Sequence, residues 1–114
     1  MDPSTAILMV KALDGLNARS VATAENIANA SSKNYRPMRV SFETALKEAA
    51  AQGDTAVQAL VPSAEQAVAG TPEAELRLDL EMSTASGTAQ RYGALVTLLN
   101  RQLQLDSIAL QGDK

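Results

Sequence analysis

The sequence predicts an all-α chain in which long N-terminal and C-terminal helices pack as an antiparallel coiled-coil-like pair, with a short helix and a mobile connection between them. Three observations lead there. Apolar residues recur at helical spacing over long stretches at both ends. The 114 residues suffice for one domain but not for two ordinary ones. Pro62, Gly70 and Pro72 interrupt the middle, where periodicity is weak.

Asp2-Pro3 is a strong helix start, since Asp accepts a first-turn N–H and Pro at the first helical position loses no needed donor. The first helix is expected over about 3–30. Taking Met9 as reference at 100° per residue, Ala6, Leu13, Leu16, Ser20, Thr23, Ala24 and Ile27 fall within about 60° of it. The stripe loses bulk after Leu16, which permits close approach of a second helix.

A turn over 31–40 follows. Then Phe42, Ala45, Leu46 and Ala49 repeat at i, i+3, i+4, i+7, with Ser41 placed to cap and Gly53 to stop a short helix over about 42–52. Residues 53–75 read as a mobile connection whose Ala and Val leave room for a further half-formed helix. Leu76, Leu78 and Leu80 alternate with Arg77 and Asp79, which suggests an extended approach and makes Asp79 the expected cap of a second long helix over about 80–110. With Tyr92 as reference, Ala85, Val96, Leu99, Leu103 and Leu110 lie within about 40° of it, while Leu95, Leu98 and Leu105 fall outside that band. Apolar residues thus cover more of this helix than one partner would bury.

Composition narrows the chemistry. There is no cysteine and no histidine, so disulfides, thiolate metal sites and the commonest general base are excluded. No cofactor and no enzyme activity are expected. A net charge of −3 does not suit a nucleic-acid partner, whose backbone is bound chiefly through Lys and Arg. The apolar run Ala6 to Val10 is too short for a secretory leader and no stretch is long enough to span a bilayer, so membrane insertion is not expected. Aromatics make up 3%, so the core must be thin, and two helices burying one stripe each scarcely offset roughly 1–2 kcal/mol of backbone entropy per residue. The isolated chain is expected to be marginal, with mobile ends.

Few residues invite a site. Lys33, Arg36 and Arg39 surround Tyr35, but without a glycine-rich loop or a second aromatic they read as a solvated turn. Glu73, Glu75, Asp79 and Glu81 read as a charged helix entrance, favoured by the helix dipole. Asn29-Ala30-Ser31 matches the glycosylation sequon by chance in a helical setting. Asn26 and Asn29 lie on the side away from the Met9 stripe; spacing does not decide whether their amides close the helix or bind another subunit.

The stretch "AENIANASSKNYRPMRVSFETAL" resembles the segment of flagellar axial proteins written N-I-A-N-x-x-T-P-G-Y-[KR], and "LRLDLEMSTASGTAQRYGALVTLLNRQL" is similar to their L-x-L-D-x-E-M, R-Y and final-helix pattern. The ending R-Y-x-x-L-V-x-x-L-N-R-x-L is most similar to the basal body rod protein B family of the proximal rod, within the wider superfamily of rod and hook axial proteins. Ser32-Lys33-Asn34 stand where the family usually has Thr-Pro-Gly, and Asn34 is the residue best able to replace the glycine.

The resemblance implies a structural subunit that assembles through its terminal helices into a torque-transmitting tube and is exported without a cleaved signal to the periplasmic rod. It implies as partners homo-oligomeric neighbours, other rod proteins, the rod-to-ring junction protein, and the export gate and inner-membrane ring. Its expected interface comprises Leu13, Leu16, Asn26, Ile27, Asn29, Asn34 and Tyr35, with Arg91, Tyr92, Leu95, Val96, Leu99 and Leu103. Another short axial rod protein, of the rod protein C type, and a cytosolic helical adaptor or regulator are the competing readings.

Overall fold

The structure, a computed structural model, describes residues 1–112. Helix α1 (Pro3–Ala28) and helix α4 (Leu78–Gly112) form the predicted pair. They run antiparallel: the Met1 ammonium meets Asp106 at 2.7 Å near one end, and Asn26 meets Glu81 at 3.1 Å near the other. Asp2 caps α1 through the Ser4 N–H with Pro3 at the first helical position, as the sequence dictates.

The Met9 stripe of α1 is only part of what the chain buries. Met9, Leu16 and Thr23 are buried at seven-residue spacing, and a second stripe of Gly15, Ala22 and Asn26 is buried beside them. Strand β1 (Met38–Arg39) and the residues after it cover that second stripe. The core is correspondingly small: Leu16, Ala22, Val40 and Phe42, flanked by Ala18, Met38, Leu46 and Leu95.

Gly15 marks the closest approach. A β-carbon there would stand 2.5 Å from the Phe42 ring, so the helix accepts a glycine in mid-span to let the one phenylalanine lie on its backbone. Arg19 closes the same corner, with its guanidinium 5.0 Å from the Phe42 ring centre and bonded to the Val40 carbonyl at 2.8 Å and the Glu43 carboxylate at 2.6 Å.

Helix α2 (Glu43–Gln52) matches the predicted short helix and ends at Gly53, whose φ of 119° few other residues adopt. Ser41 does not cap it. The Glu43 carboxylate instead accepts the Phe42 N–H at 3.2 Å.

The expected mobile connection is built differently from the expectation. It holds helix α3 (Asp54–Ala59), strand β2 (Glu65–Gln66) and a 3-10 turn at Pro72–Ala74. Helix α3 is tied to α1 by Lys11, which bonds the Gln58 and Leu60 carbonyls where that helix ends, and by Ser4 on Asp54. Strand β2 pairs antiparallel with β1, Met38 opposite Gln66 and Arg39 opposite Glu65. Two-residue strands are too short to leave a period in the sequence, so neither was legible there.

The last helix begins earlier than expected, at Leu78, and Asp79 sits inside its first turn, paired with Arg77 at 3.0 Å rather than capping. Fold class is thus all-α, carrying one minimal antiparallel ribbon at the base of the helical pair.

Two glycine substitutions should separate packing from helix propensity. Gly15→Ala should lower stability, because overpacking against Phe42 of about 1–3 kcal/mol exceeds the helix gain of up to about 1 kcal/mol. Gly87→Ala, where a β-carbon meets nothing within 4 Å, should raise it by about 0.5–1 kcal/mol. Urea titration of the purified variants measures both, and equal effects at the two positions would contradict the Phe42 contact.

Candidate functional site

Asn26 is fully buried in the last turns of α1, and its amide uses its whole bonding capacity. Its Nδ2 donates to the Met38 carbonyl at 2.9 Å and to Glu81 Oε2 at 3.1 Å, while its Oδ1 accepts the Met38 N–H at 2.8 Å and the Tyr35 hydroxyl at 2.9 Å. Asn26 therefore holds both backbone groups of Met38 much as a neighbouring strand would.

Glu81, also fully buried, completes the node: its second oxygen accepts from Arg39 at 2.5 Å, and Arg39 reaches on to the Glu73 and Glu75 carbonyls. The turn that swings Tyr35 back over α1 needs one residue in the left-handed region, and Asn34 supplies it at φ 63°. Burial, reinforced by the Glu25 and Glu81 carboxylates and opposed by Arg39, raises the Tyr35 phenol above its ordinary pKa and keeps it a donor.

Several expected interface positions are thereby reassigned. Asn26 does not face outward; its second neighbour is the chain's own turn and the start of α4. Asn29 caps α1 and its amide bonds the Glu25 carbonyl at 2.9 Å, so it closes the helix. Tyr35 turns inward and Leu16 lies in the core. Leu95 packs against that core, and Leu13, Ile27, Val96 and Leu99 are half-buried. Arg91, Tyr92, Leu103 and Asn34 are exposed.

The residues that sequence reasoning missed are Arg39, assigned to a solvated turn, and Glu81, assigned to a charged entrance. Each stands among like charges, and nothing in their spacing separates the buried one from the solvated ones. The small residues Gly15, Ala22 and Asn26, which recur along one face of α1, were the available signal that a second element covers that face. Arg36 is not a free cation either, since it bonds the Ala67 carbonyl and the Gln66 side chain.

Away from the node the chain is open. Leu98, Leu103, Leu105, Ile108 and Leu110 are each about half exposed or more along the far half of α4, as are Leu78, Leu80 and Met82 at its start. The molecule measures 64 × 28 × 15 Å, and its radius of gyration of 17.4 Å compares with roughly 13 Å for a compact domain of this length. Its accessible surface of 7639 Å² exceeds the roughly 6,000 Å² of a compact monomer of 12.0 kDa. The surplus is about twice the roughly 800 Å² that one chain contributes to a standard protein interface. Among the described residues there is no cluster of His, Cys, Asp and Glu that could hold a metal ion, and no helix long and apolar enough to cross a membrane.

No family model matches the chain, and no curated protein matches it significantly. The segments 24–46 and 76–103 meet in space: Asn26 belongs to the first, Glu81 to the second, and they are hydrogen-bonded across 55 positions of sequence.

Truncating the node should be costly. Asn26→Ala leaves the buried Glu81 short of a donor and both Met38 backbone groups unpaired, an expected loss of roughly 2–4 kcal/mol in chemical denaturation. Arg39→Ala should cost about 3 kcal/mol by orphaning Glu81, and adding Glu81→Leu should recover part of it; losses that simply add would mean the pair is not coupled.

The Glu43 carboxyl has a second, pH-dependent signature. The hydrogen bond from Arg19 holds it down to about 2. Its contribution is therefore full above the ordinary carboxyl range and is lost as pH falls through that range toward 2. Because the Glu43 side chain is 58% exposed, solvent screening limits the effect to at most about 1 kcal/mol. Stability of Glu43→Gln and the parent should converge in strong acid and differ at neutral pH.

Proposed function

We propose that the chain is a structural subunit of the bacterial flagellar proximal rod that assembles through its terminal helices. One observation carries this reading: the two axial-type motif stretches are joined through Asn26 and Glu81, so the residues behind the resemblance act together at the base of the helical pair. The surplus accessible surface and the exposed leucines of α4 favour a chain completed by neighbours over a free-standing adaptor.

The mechanism is mechanical. Interlocked long helices resist shear because sliding exposes their apolar stripes to water, at about 25 cal/mol for each Å² uncovered. The node fixes where the turn and the start of α4 sit on α1, so a load applied to one helix reaches the other through a rigid base. The terminal helices are what the other rod proteins, the rod-to-ring junction protein and the export gate would contact.

A strain lacking the chain should fail to spread in soft agar, and its isolated basal bodies should lack completed rods; normal swimming would end the reading. In the free protein, amide exchange should be slowest around Asn26, Met38 and Glu81 and fast beyond Leu98, with the distal protection gained on mixing with partner rod proteins.

A further inference from the structure

A groove of about 490 Å³ lies between α1, α2 and one wall of α4. Its floor is apolar, built from Leu8, Ala12, Leu46 and Ala50 beside the core residues Leu16 and Phe42. Lys47 and Arg91 stand on its rim, both exposed and neither in an ion pair among the described residues, while Glu43, the acidic residue of the lining, is already paired with Arg19 at 2.6 Å. Such a groove suits an apolar strip flanked by carboxylates.

The chain carries one. Leu78 and Met82 lie four residues apart on one face of the first turns of α4, and both are about half exposed. Glu73 and Glu75 precede them, with their backbone carbonyls held by Arg39 and their carboxylates in no ion pair among the described residues. The strip cannot fold into its own groove, because Arg91 and Met82 belong to one continuous helix and stand roughly 14 Å apart along its axis.

We infer that the Leu78/Met82 strip of one copy docks in the Leu8/Leu46 groove of a second copy, with Glu73 and Glu75 set against Lys47 and Arg91. The two surfaces differ, so the contact is head-to-tail and each added copy leaves one groove and one strip free for the next. This rests on the proposed assembly role and names the surfaces that carry it.

Sedimentation and light scattering over a range of protein and salt concentrations test it. The parent should self-associate, more weakly at high salt. Lys47→Glu with Arg91→Glu, or Glu73→Lys with Glu75→Lys, should each weaken association roughly tenfold or more, and mixing the two reversed proteins should restore it as assemblies in which the two variants alternate. All four positions are exposed, and circular dichroism of each variant should match the parent. A parent that stays monomeric at millimolar concentration, or reversed variants that associate like the parent, would overturn the docking. Failure here with motility still lost on deletion leaves the rod reading standing, whereas docking observed in a chain whose deletion leaves swimming normal removes the rod reading alone.

Discussion

The rest of the molecule depends on one amide. Asn26 binds the turn through Met38 and Tyr35, and it binds the start of α4 through Glu81, so the end of α1, the turn that follows it and the distant start of α4 are joined at one side chain. Without it the ribbon of β1 and β2 is tied to α1 chiefly beyond its end, through Arg19 on the Val40 carbonyl and Phe42 on Gly15, and Glu81 is a carboxylate buried beside a single cation. A buried charge pair alone is weak support, because its desolvation consumes much of the attraction. What makes this one workable is that Glu81 has a neutral donor as well as Arg39, and that each donor is itself held by backbone. The node thus fixes position more than it adds stability.

Hydrophobic packing does not share that role evenly. Phe42, set on Gly15, is the one large aromatic in the core, and the remaining core residues are aliphatic and few. Burial gathers where α1, the segment through Val40 and Phe42, and the start of α4 meet, while α4 continues for several turns with its leucines half in water. A chain held tightly at one end and sparsely along its length is poorly suited to a solitary life, since the thin region orders few apolar contacts for the backbone entropy it fixes. It suits an arrangement in which neighbours supply the missing contacts.

Much of this was legible in the sequence. The first long helix followed from its Asp2-Pro3 start and periodicity, the last from periodicity alone, the short helix from Phe42, Leu46 and Gly53, and the left-handed turn from Asn34. What was not legible shares one physical cause: it depends on contacts between segments distant in the chain. Asn26 reads as polar and outward because period alone places it off the Met9 stripe, and only the turn that covers that side makes it interior. Arg39 and Glu81 read as solvated for the same reason. The ribbon of β1 and β2 and helix α3 carry too few residues for a pattern and take their form from pairing and from Lys11.

The position of the node also bears on how a load would travel. Two helices in contact along one thin stripe can slide by a turn, because on α1 that stripe buries only Met9, Leu16 and Thr23, while Ser20 and Ala24 beside them stay exposed. The hydrogen bonds at Asn26 and Glu81 are directional, and a shift of even one residue along α1 would break all four contacts of the amide at once. Sliding is therefore opposed at the base by the buried node, at the far end by the Met1–Asp106 ion pair, and between them by apolar contact, which neighbours would have to reinforce. That asymmetry makes the free chain a rigid base with an adaptable shaft, the division of labour that the proposed rod subunit would need.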